Sequence, residues 1–269
     1  MSTNTPSEKK KKERPEPKNW AHKLWLDWIK PIGLAILVVF AFRSSFIDWN
    51  DVPSASMEPT ILVGDRIFVN KLAYDLKFPF TRWRIFSWDD PDRGDIVVFF
   101  APQDGRRMVK RVLGVPGDSF EVRGNVVFIN GQALEFEAVN SGKFSRLDLE
   151  DLGRAPIEFE NEITGDVMHP VMFLNGRGGS RYADFGPITI PEAQFLMMGD
   201  NRNNSRDSRD PTLGLIPRDL IVGRAFGVAF SFDRKPSFRV RWERLLRSFG
   251  QEDPPSSSTS GDSSDHPMP

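Results

Sequence analysis

Residues 31–42 (PIGLAILVVFAF) run for twelve positions without a charge, and nothing else in the chain restricts its fold as sharply. Twelve residues alone suit a buried helix or the core of a signal peptide. Ile29 precedes the run, and beyond Arg43 the residues Ser44, Ser45, Phe46 and Ile47 prolong it. The whole stretch then reaches about the 20 residues that a bilayer-spanning helix needs. Lys30 and Arg43 lie close enough to its ends to snorkel. Trp20, Trp25 and Trp28 on one side and Trp49 on the other stand where interfacial aromatics belong. A cleaved signal peptide is the competing reading, but Arg43-Ser-Ser-Phe-Ile-Asp is a poor small-x-small cleavage site and the preceding arm is long for an n-region. The expectation is an uncleaved transmembrane anchor over residues 29–47. Residues 1–30 hold eight Lys or Arg against four acids, so the remainder of this chain of net charge −1 totals −5. The basic arm, residues 1–28, is therefore expected in the cytoplasm. The rest of this single-pass protein of the cytoplasmic membrane is expected outside.

Beyond the anchor, β-branched and aromatic runs recur between turn signals: 66–70, 95–100, 108–113, 119–122, 126–129, 194–198 and 221–232. Asn130-Gly131 between Val126-Val-Phe-Ile and Gln132-Ala-Leu-Glu-Phe is a strong hairpin signal, because this dipeptide supplies both positive φ angles of a type I′ turn. Sustained 3.6-residue periodicity is missing from 50–230. The fold class is mostly β, with an N-terminal transmembrane helix. The body is expected over 48–232, with a Gly- and acid-rich insertion at about 137–187. Residues 233–269 divide into an arginine-rich amphipathic stretch, 239–249, and a low-complexity tail expected to be disordered. The amphipathic stretch reads as a solvated helix or a membrane-surface contact.

The chain lacks cysteine, which excludes a disulfide scaffold, a thiol nucleophile and a Cys-ligated metal. Of three histidines, His22 and His266 lie in the terminal segments. A Ser-His-Asp triad would therefore run through His169, and no metal or other cofactor is expected. Residues 53–60 (PSASMEPT) place Ser54 and Ser56 on one side of an extended chain, where one hydroxyl attacks a carbonyl and the other holds the oxyanion. A Ser/Pro linker accounts for the same residues. Lys110 lies in an apolar strand, one of only four lysines against seventeen arginines between 48 and 230. Burial favours its neutral amine, which can serve as a general base where arginine cannot; a snorkelling edge-strand lysine is the plainer alternative. Residues 199–209 (GDNRNNSRDSR) read as a polar loop whose acids, hydroxyls and arginines can scaffold a site; the glycine pattern of a phosphate loop is absent. A Ser-Lys dyad is an attested form of serine hydrolase chemistry.

These stretches, with 64–71, 93–99 and 109–118, resemble the bacterial type I signal peptidases in content and order. The resemblance spans about two thirds of the chain. It implies a signal-peptidase-type β domain carrying a serine endopeptidase, with Ser56 as nucleophile and Lys110 as general base. It further implies an oxyanion hole from the Ser56 N–H and the Ser54 hydroxyl, Ser205 orienting the lysine, and the ion pairs Asp200–Arg111 and Asp207–Arg209. Asn203 stands where the family usually has aspartate. The implied partners are secretory preproteins with small residues at −1 and −3, and the lipid bilayer, with no nucleic acid. A catalytically inactive, membrane-tethered β binding module is the alternative. A self-cleaving repressor fits less well, because the anchor occupies the place of its DNA-binding domain.

One further segment, 77–88, mixes five aromatics with three basic residues and lacks clean strand alternation. It reads as a membrane-interface element or as a hairpin packing its rings on the core.

Overall fold

A computed structural model describes residues 20–139, 144, 156–174, 182–233 and 239–249. Most of the basic arm, parts of 137–187 and the tail beyond 249 lie outside them. The chain divides into two compact units at Arg43/Ser44.

The described part of the first unit is helical from Trp20. A π-helical turn at Trp25–Ile29 separates Trp20–Leu24 from the α-helix Lys30–Ser45, most of which belongs to this unit. Pro31 explains the interruption, since it lacks the N–H that would bond to Asp27 and its ring crowds that carbonyl. The span His22–Ala41 is long and apolar enough to cross a membrane, and none of it is buried. The helical conformation ends at Ser45; Ile47, counted with the apolar run in the sequence, instead opens the strand Ile47–Asp51.

The second unit is mostly β. Among the described residues its largest sheet has seven antiparallel strands in the order Ile47–Asp51, Asp65–Asn70, Ile221–Ser231, Ile96–Phe100, Arg107–Gly114, Gln194–Met198 and Ile216–Pro217. The strand beginning at Ile96 is apolar throughout (IVVFF), as a strand covered on both faces must be. Its odd and even positions divide between two buried clusters. Val97 and Phe99 join Val112, Phe195 and Met197, whereas Ile96 and Val98 join Met57, Ile61 and Ile67. A four-stranded sheet holds the expected hairpin, with Asn130 at φ 53° and Gly131 at φ 81° between Ile129 and its partner Gln132.

In the 137–187 region, Ile157–Thr164 and Val167–Leu174 pair as a hairpin and join Phe136–Ala138 in a three-stranded sheet. Gly165 opens the two-residue turn at φ 62°. The arginine-rich segment forms a single 3₁₀ turn, Trp242–Arg244, in place of an amphipathic helix. Its neighbours bridge to the main sheet at Phe232↔Val240 and Gly227↔Ser248. Arg244 is buried in a bidentate pair with Asp65 and also donates to the Thr60 carbonyl, so its charge anchors the segment inward.

Candidate active site

Ser56 lies in the 3₁₀ turn Ala55–Met57. Ser54, just before it, is extended at φ −133° and ψ 153°. The two serines thus do not share one extended strand as the sequence reading assumed, because Ala55 and Met57 are drawn into the core on either side of Ser56 and curl the chain. Both serines still line the same cavity, of about 250 Å³, whose apolar wall includes Val52, Ile67, Val98 and Val109.

Lys110 comes from Arg107–Gly114, between Ile96–Phe100 and Gln194–Met198. It pairs with Val97 across the sheet and is 2% exposed. Its Nζ contacts Ser56 Oγ within hydrogen-bond distance and donates to Val109 O at 3.0 Å. Burial lowers the amine from 10.5 to about 8; Asp207 and Asp200 act to raise it, and Arg209 to lower it. About a tenth is therefore neutral at pH 7 and about half at pH 8, and a neutral amine at this position accepts the Ser56 proton.

Three buried ion pairs surround this pair. Arg111 grips Asp200 through Nε–Oδ1 at 2.9 Å and Nη2–Oδ2 at 2.7 Å, and donates to Gly94 O. Thr60 Oγ1 also donates to Asp200. Arg209 holds Asp207 at 2.9 and 2.8 Å, and the Gly199 N–H donates to the same carboxylate. Burial alone pushes both carboxyls up, but their arginines and hydrogen bonds outweigh it and keep them below the usual range. The third pair joins Arg202 to Glu162.

The family model for signal peptidase, peptidase S26, matches residues 25–230. The signal peptidase I of Pseudomonas fluorescens is 35% identical over 221 residues, 78% of this chain and 74% of the relative. That of Pseudomonas aeruginosa is 33% identical over 237 residues, covering 82% and 78%. Signal peptidase I P of Bacillus subtilis subsp. natto is 34% identical over 209 residues, covering 78% and 91%. The chain belongs to the signal peptidase family. It is a serine endopeptidase, a hydrolase of peptide bonds.

In this peptidase the structure brings together Ser54, Ser56, Lys110, Arg111, Asp200, Asp207 and Arg209. Ser205 is buried close to Gly199, but its Oγ makes no hydrogen bond to Lys110. Asn203 donates from Nδ2 to Leu174 O, a bond that a carboxylate could not make. This bond ties the 199–209 loop to the end of the strand Val167–Leu174. His169 builds no triad. It is buried, both ring nitrogens lack a hydrogen-bond partner, and it lies 3.5 Å from Glu162 and 3.9 Å from Asp200. Burial first, then Arg111, drive its pKa down to about 3, so the ring is neutral at physiological pH.

The sequence reading missed Glu162, which faces His169 across the 157–174 hairpin. Met172 of that hairpin exchanges backbone hydrogen bonds with Asp200 and Arg202. Thr164-Gly165-Asp166-Val167 was the available signal, since Gly-Asp is a two-residue hairpin loop. Glu162→Gln leaves Arg202 charged, buried and without its ionic partner. Its expected cost is about 3–5 kcal/mol of stability, read from the urea midpoint at constant slope. Replacing the pair together, Glu162→Gln with Arg202→Met, should recover part of that loss. A single variant as stable as the parent would show that the pair contributes nothing.

Proposed function

We propose that this chain removes N-terminal signal peptides from secretory preproteins at the outer face of the cytoplasmic membrane. In this reading residues 29–47 contain its single anchor and its N-terminus lies in the cytoplasm. The observation that carries the reading is the contact between the buried Lys110 amine and Ser56 Oγ at the cavity wall. Lys110 takes the Ser56 proton as Oγ attacks the scissile carbonyl. The Ser56 N–H and the Ser54 hydroxyl hold the oxyanion. The ammonium returns its proton to the leaving amine, releasing the mature protein and leaving the signal peptide as an ester on Ser56. Water, deprotonated by the same lysine, hydrolyses the ester. Asp207 and Asp200 favour the transient ammonium, which keeps the pKa from falling further. A peptide laid along the cavity meets the apolar side chains of Val52, Ile67, Val98 and Val109, and steric exclusion there would select small side chains at −1 and −3.

The test uses purified full-length protein and a preprotein in detergent. Because the neutral amine is the active form, kcat/KM should rise about tenfold per pH unit well below pH 8 and level off above it. Mass spectrometry should place the cut after a small-x-small sequence. A profile flat from pH 6 to 9.5 would remove Lys110 as the base. Absence of turnover by the folded protein would favour the tethered binding module.

A further inference from the structure

The cavity that holds Ser56 has two unlike ends. At one, Lys110 Nζ meets Ser56 Oγ. At the other, Arg107 Nη1 donates to Asn50 Oδ1 at 2.9 Å and to Asp48 Oδ2 at 3.0 Å. Val52 and Val109 lie between these contacts along the two walls, with Val98 paired to Val109 and Ile67 to Asn50 across the sheet. Asn204 and Arg206 of the loop 199–209 complete the lining. What holds that loop fixes the end to which they belong. Ser205 and Asp207, on either side of Arg206, are both buried. A Cβ built at Gly199 would meet both the Ser205 side chain and the Ser56 carbonyl, so Ser205 adjoins the nucleophile's turn. Asp207 accepts from the Gly199 N–H and acts on the Lys110 amine. Arg206 therefore stands at the Ser56–Lys110 end, on backbone pinned from both sides.

The other arginines of this region are spoken for. Arg111, Arg202 and Arg209 are buried against Asp200, Glu162 and Asp207. Arg206 is exposed, and among the described residues it makes no hydrogen bond or ion pair. Asp210 feels its charge but is hydrogen-bonded to Tyr182 and Thr212 instead. The acid of the cavity lining, Asp51, adjoins Asn50 at the far end. A guanidinium thus borders the catalytic pair with no carboxylate of this protein closed upon it.

A peptide whose −1 and −3 side chains fill the apolar middle runs toward Asn50 on its signal-peptide side. Its mature side must leave past Ser56 and Lys110, where Asn204 and Arg206 stand. We propose that Arg206 is a specificity-determining residue that reads the first residues after the cut, favouring an acidic side chain there and disfavouring a basic one. This rests on the peptidase reading above and deepens it, giving the leaving side of the substrate its own point of recognition. A carboxylate there meets the guanidinium in charge-assisted hydrogen bonds, whereas a lysine brings two cations together. At about 3.3 Å per extended residue, positions +1 to +3 lie within the side chain's sweep. The site is open to water, so each effect is modest, about threefold for attraction and a similar factor for repulsion.

Peptides with one small-x-small site and a single variable residue test this. Glutamate, glutamine or lysine is placed in turn at +1, +2 and +3, and kcat/KM is measured with full-length protein in nonionic detergent at low salt. At one or more of these positions glutamate should exceed lysine about tenfold, with glutamine between. Arg206→Gln should bring that ratio to within about twofold, and Arg206→Glu should invert it. Salt of about 1 M, where the screening length is about 3 Å, should shrink the parent's ratio as well. The ratio is informative because a loosened loop slows every peptide alike and leaves it unchanged. Uniform slowing in Arg206→Gln with the parent's ratio kept would assign Arg206 to the loop's architecture and overturn the inference. A parent that cuts every peptide without regard to charge would overturn it too, and leave the peptidase reading standing. A folded parent that cuts neither peptide nor preprotein sinks both together.

Discussion

Ser56→Ala and Lys110→Met should each reduce kcat/KM for a preprotein by about 10⁴- to 10⁶-fold, and the double variant should lose little more. Nucleophile and base act as one unit. Once the hydroxyl is gone the amine has nothing to activate, and a hydroxyl without the amine keeps its proton. Losses that multiplied would show that the two residues act separately. A trivial loss through misfolding is distinguishable, because Lys110→Met is expected to gain stability rather than lose it. Each pKa unit is worth about 1.4 kcal/mol, so the descent from 10.5 to about 8 makes the protonated amine cost about 3 kcal/mol at neutral pH. Lys110→Met removes that penalty and should raise the thermal midpoint while abolishing activity. The penalty is full below pH 8, where both folded and unfolded chains are protonated. It fades between 8 and 10.5, where only the unfolded chain still holds the proton. The stabilisation by methionine should therefore shrink across that same window. A Lys110→Met protein less stable than the parent at pH 7 would mean that the amine's interactions with Asp207 and Asp200 outweigh its burial.

Local chemistry was legible in the sequence wherever it is written in neighbouring residues. The apolar IVVFF strand, the Asn130-Gly131 turn and the isolated lysine of an apolar run each act through their own few positions, and each lies where it was expected. What the sequence concealed depends on partners far apart in the chain. Arg244 reads as a surface cation of an amphipathic stretch until Asp65, 179 positions away, neutralises it inside the protein. Glu162 reads as one acid in an acid-rich insertion until Arg202 closes on it from the loop after Gln194–Met198. The turn at Ser56 was likewise hidden, because alternation predicts extension and the burial of Ala55 and Met57 overrides it. The aromatic segment 77–88 was ambiguous for a different reason. Its composition suits both a core and an exposed surface, and only the exposure of its rings separates the two.

Gly199→Ala tests how closely the catalytic pair depends on the loop that follows Gln194–Met198. A methyl group built there overlaps the Ser205 side chain and the Ser56 carbonyl oxygen. Ser205 Oγ can rotate away, but the carbonyl belongs to the turn that carries the nucleophile. It also accepts a hydrogen bond from Asn201 N at 3.3 Å. Relief must therefore move Ser56 relative to Lys110. Overpacking of this kind costs about 1–3 kcal/mol, and a displacement of about 1 Å at a reacting group costs about 100-fold in rate. The expected result is a modest fall in stability with at least a 100-fold fall in kcat/KM. Adding Ser205→Gly removes one overlap and leaves the other, so it should recover stability more than activity. Gly131→Ala is the informative contrast, because a methyl there meets nothing within 4 Å and only the positive φ of the hairpin turn is strained. That change should lose about 1 kcal/mol of stability and keep kcat/KM. Full activity in Gly199→Ala would show that the close approach of Gly199 to the Ser56 carbonyl is not needed in turnover. The loop 199–209 would then support the fold of the site without setting the reach of its nucleophile.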